Sequence, residues 1–377
     1  METTRTKQDT SHALLQAVDE AAVLAAVDSA GPPAALEVLL AEVADRCEPV
    51  VGMTPLLVAY QVTFAGAEYQ AALHIGPLGV APVPLGSAPA VVVRTDMVAL
   101  HRALFPTTGM TPADDGRTGN PLARLGEVSG DTAAVSAYQA CFPTDPDLTE
   151  LCLRHGSDKW GFHWYTQHYE RHFTPLRHRH VRVLEIGVGG HADPCSGGAS
   201  LQMWKRFFPR GVIYGIDVFD KSPLDQWRVR TFQGHQADPR FLESVLAQTG
   251  ELDIVIDDGS HINRDVLASF KHLFPKLRHG GLYVIEDLQT SYWPGYGGSS
   301  HDLCRPDTTV GFLKTLVDGL NYEEFLRPDR RPSYTDRHIV AMHLYHNLVV
   351  IEKGENAEGT FPADRLRIPT VDLPVPQ

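Results

Sequence analysis

Val181 to Gly190, VRVLEIGVGG, is an apolar β-forming run that carries an acid, Glu185, and empties into a glycine-rich turn. Such a run reads as a strand buried on both faces, as in a parallel sheet. The glycines let the chain turn sharply and let a ligand approach the backbone. Three later runs repeat the pattern: VIYGID ends at Asp217, LDIVIDDGSH carries Asp257 and Asp258, and GLYVIED carries Glu286 and Asp287. Acids placed repeatedly at strand ends mark the ligand crevice of an open α/β sheet. The expected strands are Val181–Ile186, Val212–Asp217, Val229–Gln233, Leu252–Asp257 and Gly281–Glu286, alternating with helices from Thr149 onward in the manner of a doubly wound sheet. The last segment, IVAMHLYHNLVVIEKG, holds two β runs with no helix between them, which predicts an antiparallel hairpin at the sheet edge.

Upstream, residues 12 to 45 are rich in alanine and leucine and break at Gly31, Pro32 and Pro33, predicting two helices. LLVAYQVTF and YQAALHI predict a hairpin around Gly66, AVVVRT a further strand, and Asp96 to Leu104 a short helix. The stretch 107 to 122, TTGMTPADDGRTGNPL, has linker composition. The chain of 377 residues is therefore read as an N-terminal α+β auxiliary domain, 1–145, serving as assembly or lid domain, followed by the nucleotide-binding α/β domain, 146–377. The N-terminal layout also resembles sterol-carrier-like modules, which would imply a lipid-binding ancestry.

With 33 basic and 46 acidic side chains the formal charge is −13, which argues against nucleic acid or an anionic membrane as partner. The five cysteines are odd in number and lack a CxxC spacing, so neither a disulfide framework nor a zinc site is expected. No stretch approaches 18 uninterrupted apolar residues and the N-terminus lacks a signal-type apolar core, which leads to the expectation of a cytoplasmic protein without membrane contact.

The glycine turn does not fit a nicotinamide fingerprint. The third glycine of G-x-G-x-x-G is missing, Asp217 comes after an insertion-like loop, HADPCSGGAS, and Glu185 is foreign to that pattern. An acid two residues before the first glycine, with another ending the second strand, instead resembles the cofactor site of class I S-adenosylmethionine-dependent methyltransferases. In that family Asp217 would bind both ribose hydroxyls and the glycine turn would pass the methionine portion. The bland alternative is that Glu185 caps the next helix and Asp217 starts a turn. GHQAD, with Gly234, His235 and Asp238, falls where this fold places adenine, or is plain turn chemistry.

Asp258, Glu286 and Asp287 belong to neighbouring strand ends, and carboxylates crowded there repel one another unless a cation sits among them. Mg²⁺ takes oxygen ligands and keeps positions for water or substrate. These three are assigned to the metal, with Asp257 left to the cofactor; exposed helix caps are the alternative. His261 is expected in the first turn of the next helix, as the base that removes a hydroxyl proton near pH 7. Ahead of the first strand, Gly156 to Tyr169 is too polar and aromatic for a plain core helix. It is read as a loop over the cofactor edge, with His163 and Tyr165 as hydrogen-bonding lids and Lys159 as a carboxylate partner, or else as packing.

GSDKWGFHWYTQHY, LEIGVGG, DDGSH and VIED occur in that order, and together they resemble the metal-dependent O-methyltransferases that modify macrolide deoxysugars in the mycinamicin and tylosin pathways. The resemblance covers Thr149 to about Gly354. It implies a Mg²⁺-dependent transfer of a methyl group from S-adenosylmethionine to a sugar hydroxyl of a glycosylated natural product, in a homo-oligomer, a tetramer by analogy. The family's metal ligands fall on Asp258, Glu286 and Asp287, and its base on His261. Its cofactor contacts fall on Gly161, Tyr165, Glu185, Gly187, Gly189, Gly190, His191, Ser200, Asp217, Gly234, His235 and Asp257, with Ser200 the loosest match. TSYWPGYGGSSHDLCRP after Asp287 suits a mobile loop over a sugar and its aglycone. The rival readings are O-methylation of a catechol or phenol, a non-catalytic scaffold that binds cofactor or lipid, and a nicotinamide reductase.

Overall fold

The structure is a computed structural model that describes residues 10–107, 121–142, 146–325 and 329–359. The expected linker falls almost wholly on 108–120, and residue 145 of the expected domain boundary also lies outside the described residues.

The N-terminal part opens with helix α1 (residues 10–16), α2 (Glu20–Ala30) and α3 (Pro32–Arg46). Gly31, at φ 82°, turns the chain between α2 and α3, and proline at the start of α3 forfeits no helical hydrogen bond there. Strand β1 (Leu56–Phe64) pairs antiparallel with β2 (Ala67–Gly76), which pairs with β3 (Gly79–Val83). Strand β4 (Val91–Asp96) runs parallel to β1, and Asp96 then caps α4 (Met97–Leu104) by accepting from Ala99 N at 2.8 Å. Strand β5 (Glu127–Gly130) and helix α5 (Thr132–Ala140) complete a sheet of order β3-β2-β1-β4-β5. Val58, Tyr60, Val62, Val91 and Val93 share one core with Leu36, Leu39, Val43, Met97 and Leu100.

After α6 (Leu148–His155) and α7 (Thr166–Phe173) come β6 (Arg182–Ile186), α8 (Ala199–Phe207), β7 (Val212–Asp217), β8 (Val229–Gln233), α9 (Pro239–Thr249) and β9 (Leu252–Asp257). Helix α10 (Asn263–Leu273), β10 (Leu277–Ile285), α11 (Thr309–Gly319), α12 (Tyr334–His338), β11 (Ile339–Tyr345) and β12 (Leu348–Lys353) complete the order. The sheet order is β11-β12-β10-β9-β6-β7-β8. Strand β9 is parallel to both β6 and β10, whereas β12 is antiparallel to β10 and to the edge strand β11. The order reverses between β6 and β9, so the glycine turn after β6 stands at the topological switch point, where such sheets bind ligands. Strand β10 begins at Leu277 rather than Gly281, with a register shift between Leu277 and Leu282 that hides its start from a pattern reading.

The chain divides into two compact units: Met1–Arg182 with Val188–Tyr214 and Lys221–Thr231, and Val183–Gly187 with Gly215–Asp220 and Phe232–Gln377. In the first unit a set of buried charges ties α3 to the chain around α8 and β8. Glu42 accepts from Arg46 at 2.7 Å, Arg228 at 2.7 Å and Trp227 Nε1 at 2.7 Å. Burial opposes its charge, but the guanidinium groups of Arg228 and Arg46 prevail and hold the carboxyl well below the usual range. Arg210 donates to the carbonyls of Phe105, Leu15 and Ala17, and Lys205 pairs with Asp45. Among the described residues no single helix is long and apolar enough to cross a membrane.

Candidate active site

The acids of the second unit are brought into line because the backbone past each strand end keeps bonding to its neighbour. Gly187 N donates to Ile216 O, Asp258 N to Ile186 O, Gly234 N to Asp217 O and Glu286 N to Asp257 O, all between 2.8 and 3.0 Å. Two overlapping sets result. The ligand atoms of Glu185, Asp258 and Glu286 lie within 4.8 Å of one another, and so do those of Asp258, His261 and Asp287. Asp258 is common to both. Three of these acids are those expected at the metal, and His261 Nε2 stands 3.6 Å from Asp287 Oδ2. Glu185, expected at the cofactor, is fully buried beside Asp258 and Glu286.

The donors are hard carboxylate oxygens with one imidazole, a set suited to Mg²⁺. Two of its members hold left-handed backbone, His261 at φ 55° and Asp287 at φ 52°, as does His191 at φ 47°. Non-glycine residues hold that conformation at an energetic cost, and it recurs at functional sites. His261 is not in the first helical turn: α10 begins at Asn263, and the histidine occupies the bend before it.

That bend is built from beneath. At Gly259 a Cβ would lie 2.3 Å from Gln236 Oε1 and 2.7 Å from Ile186 Cγ2, so no side chain fits. Gln236 Oε1 accepts from Ser260 N at 2.7 Å while its Nε2 donates to Asp257 Oδ1 at 3.0 Å. Ser260 Oγ donates to Asp265 Oδ2 and accepts from Ile262 N. Asp257, only 1% exposed, also accepts from Ser269 Oγ. Burial pushes its carboxyl up to about 6, against the pull of Ser269, Gln236 and the nearby His261. Its side chain supports the 259–260 turn from below.

Gly187, Gly189 and Gly190, expected at the cofactor, all have positive φ; a Cβ on Gly187 would strike Asp258 O at 2.1 Å and one on Gly190 would strike Ser196 O at 2.1 Å, while Gly189 faces open space. His191 is exposed, and Ser200 lies in the first turn of α8. Asp217 Oδ1 accepts from Phe219 N at 3.0 Å, so the acid also shapes a turn. Gly234 is obligatory because the Phe241 ring would meet its Cβ at 2.4 Å. His235 Nδ1 accepts from Ala237 N, and Asp238 caps α9. Gly161, at φ 95°, turns the chain between Trp160 and Trp164, whose backbones bridge and whose rings meet edge-on at 4.7 Å. Tyr165 is buried and stacks on His163 at 4.6 Å, and Lys159 is fully buried.

Sequence reasoning missed four polar side chains with evident work. Gln236 and Ser269 hold the 257–260 bend, and Asn263 ties down the segment after Asp287. Lys221 donates to Asp193 O at 2.7 Å and Ser196 O at 2.9 Å, fixing the loop that interrupts the glycine pattern. Gln236 is the middle residue of GHQAD, whose other polar members were assigned, and Asn263 lies two residues beyond DDGSH.

No family model matches the chain. It is 43% identical over 343 residues, 86% of its length and 85% of the relative's, to the mycinamicin VI 2''-O-methyltransferase of Micromonospora griseorubida. It is 44% identical over 345 residues to the demethylmacrocin O-methyltransferase of Streptomyces fradiae, covering 88% of this chain and 87% of the relative. Over 223 residues, 59% of the chain and 58% of the relative, it is 52% identical to the 8-demethyl-8-alpha-L-rhamnosyl tetracenomycin-C 2'-O-methyltransferase of Streptomyces olivaceus. Among solved structures, the MycE methyltransferase of mycinamycin biosynthesis, in complex with Mg and SAH, superposes with a TM-score of 0.83 at 38% identity, covering 95% of each chain. A glycine turn at the switch point, acids gathered in two sets that share Asp258, and likeness to such relatives along nearly the whole chain lead to one conclusion: the protein belongs to the S-adenosylmethionine-dependent sugar O-methyltransferases of macrolide and polyketide antibiotic biosynthesis.

Proposed function

We propose that this enzyme moves a methyl group from S-adenosylmethionine to a sugar hydroxyl of a glycosylated macrolide or related polyketide. The observation that carries the reading is the pair of sets that share Asp258, one with His261 and Asp287 and the other with Glu185 and Glu286. The three acids would hold Mg²⁺, with Glu185 adding charge beside Asp258 and Glu286. The bound ion would supply Lewis acidity, making the acceptor hydroxyl easier to deprotonate. His261 Nε2 takes the proton of that hydroxyl, and the carboxylate of Asp287 beside it favours the imidazolium that results. The acceptor oxygen then bonds to the methyl carbon as the carbon–sulfur bond of the donor breaks, leaving S-adenosylhomocysteine.

On this reading Gly161, Tyr165, Glu185, Gly187, Gly189, Gly190, His191, Ser200, Asp217, Gly234 and His235 form the donor site, and Asp257 supports it from below. The N-terminal residues 1–145 act as an auxiliary domain to the methyltransferase domain 146–377, in a cytoplasmic homo-oligomer, a tetramer by family resemblance. Relatives named for mycinamicin VI, demethylmacrocin and rhamnosyl tetracenomycin, and a MycE complex with Mg, SAH and mycinamycin VI, support a glycosylated acceptor. The test is incubation with S-adenosylmethionine and a panel of demethylated macrolide and polyketide glycosides beside catechols. A gain of one methyl group on a glycoside is expected, lost with chelator and restored by Mg²⁺. Methylation of catechols alone, or full activity in chelator, would overturn the proposal.

A further inference from the structure

The segment after Asp287 is pinned. Leu288–Tyr292 and Pro294–Tyr296 form consecutive 3₁₀ turns. Gly298 N donates back to Trp293 O and Ser299 N to Ser291 O, and a Cβ on Gly298 would lie 2.5 Å from the carbonyls of Thr290 and Ser291. Ser291 Oγ also accepts from Val310 N at 3.0 Å. At the centre stands Asn263, the first residue of α10, two positions past His261 and only 1% exposed. Its Nδ2 donates to Tyr296 O at 2.8 Å and to Thr290 O at 3.2 Å, and its Oδ1 accepts from Thr309 N at 2.6 Å. Both amide hydrogens and the amide oxygen are thus engaged, each with a different stretch of backbone. One side chain fastens the histidine bend, the turns beyond Asp287 and the start of α11. The outer surface of those turns is aromatic: Trp293 is 48% exposed, with its ring 5.9 Å from that of Tyr296.

Resting on the sugar methyltransferase reading, we propose that Asn263 is a positioning residue that sets an aromatic ledge, Trp293 and Tyr296, relative to His261, and that this ledge takes the apolar face of the acceptor. A glycoside seated on a ledge of fixed height presents one hydroxyl to the base, because a misplacement of about 1 Å is enough to lose productive geometry. Loosening the ledge lets the sugar slip, so a neighbouring hydroxyl is methylated too. Asn263 would therefore govern acceptor affinity and regiochemistry while leaving the donor untouched.

The test compares the wild-type enzyme with Asn263→Ala, Asn263→Asp and Trp293→Ala on a glycoside that bears vicinal hydroxyls. Asn263→Asp keeps the acceptor for Thr309 N–H but loses both donated bonds, so it behaves like the alanine variant if those bonds matter. In both Asn263 variants the acceptor KM is expected to rise roughly tenfold or more and a second methyl regioisomer to appear, with affinity for S-adenosylhomocysteine within about twofold of wild type. Trp293→Ala removes an exposed side chain and leaves folding intact, and it too should raise the acceptor KM. Independently of activity, hydrogen exchange across residues 288–298 should quicken in Asn263→Ala. A single regioisomer with unchanged acceptor KM, or unchanged exchange, overturns the assignment. A wild-type enzyme that methylates no glycoside while exchange still quickens sinks the functional reading and leaves the latch standing.

Discussion

At the residue scale, the site depends on two backbones that pattern reading does not reveal. Strand-end acids were legible because apolar runs that stop at an acid announce their own ends, but the inward burial of Asp257 was not, since β9 is buried along its whole length and Asp258 follows it. The left-handed bends at His261 and Asp287 have no such signature, since neither carries the glycine that usually marks one. Gln236 and Asn263 were illegible for another reason: a single amide, in a turn or at a helix start, has no periodicity, and only the fold shows what it reaches. His261→Ala should lower kcat by roughly 10²–10⁴-fold, the usual worth of a general base, with S-adenosylhomocysteine affinity retained in calorimetry. Wild-type turnover in that variant refutes the base assignment. Asp287→Asn tests the metal role while respecting the bend, because asparagine tolerates left-handed backbone. Its Mg²⁺ requirement for half-maximal rate should rise about tenfold or more while its melting temperature barely moves; an unchanged requirement removes Asp287 from the metal.

At the element scale, β6, β7, β8 and β9 fall where the sequence placed them, since each is a short β-branched run bounded by glycine or an acid. The hairpin β11–β12 was equally readable, although its second strand, not its first, enters the sheet beside β10. Strands β3 and β5 were missed because GVAPV and EVSG are short, exposed and interrupted by glycine or proline, as edge strands are. Helix α4 carries a buried consequence of its own. His101 Nε2 donates to Leu14 O at 2.7 Å, and burial pulls its imidazole down to about 4, with the charges of Arg210 and Arg102 adding to the shift and the Leu14 bond opposing it. A histidine kept neutral in the fold but free to charge when unfolded makes the unfolded chain bind more protons between about 4 and 6.5, so stability falls as pH drops through that window. At pH 5 the loss is about 2 kcal/mol relative to pH 7.5. His101→Gln should lack that increment in urea unfolding measured at the two pH values, and an equal loss in wild type and variant would show that this histidine is not the origin.

At the scale of the whole molecule, the N-terminal part is bound to the chain around α8 and β8 by more than apolar contact. Arg210 spends its donors on Leu15, Ala17 and Phe105, Arg228 and Trp227 meet Glu42, and Lys205 meets Asp45; every one of these partners precedes residue 145. Sequence periodicity gave no hint of this seam, because a buried ion pair is written as two charged residues far apart in the chain. Breaking it from one side leaves a buried charge with nothing opposite. Glu42→Ala strands Arg46 and Arg228 together and should cost about 3–5 kcal/mol, the penalty of removing one partner from a buried pair. Removing residues 1–145 goes further, because Arg210 loses its three carbonyl acceptors, Arg228 and Lys205 lose the carboxylates of Glu42 and Asp45, and Trp227 and Val212 lose the core against which they pack. Residues 146–377 expressed alone should therefore fail to unfold cooperatively on heating and bind S-adenosylhomocysteine weakly, whereas the full chain should unfold cooperatively and bind it tightly. A fragment that melts sharply and binds the product as tightly as the full chain would show that the seam is only an accessory joint and that the catalytic part is sufficient in itself.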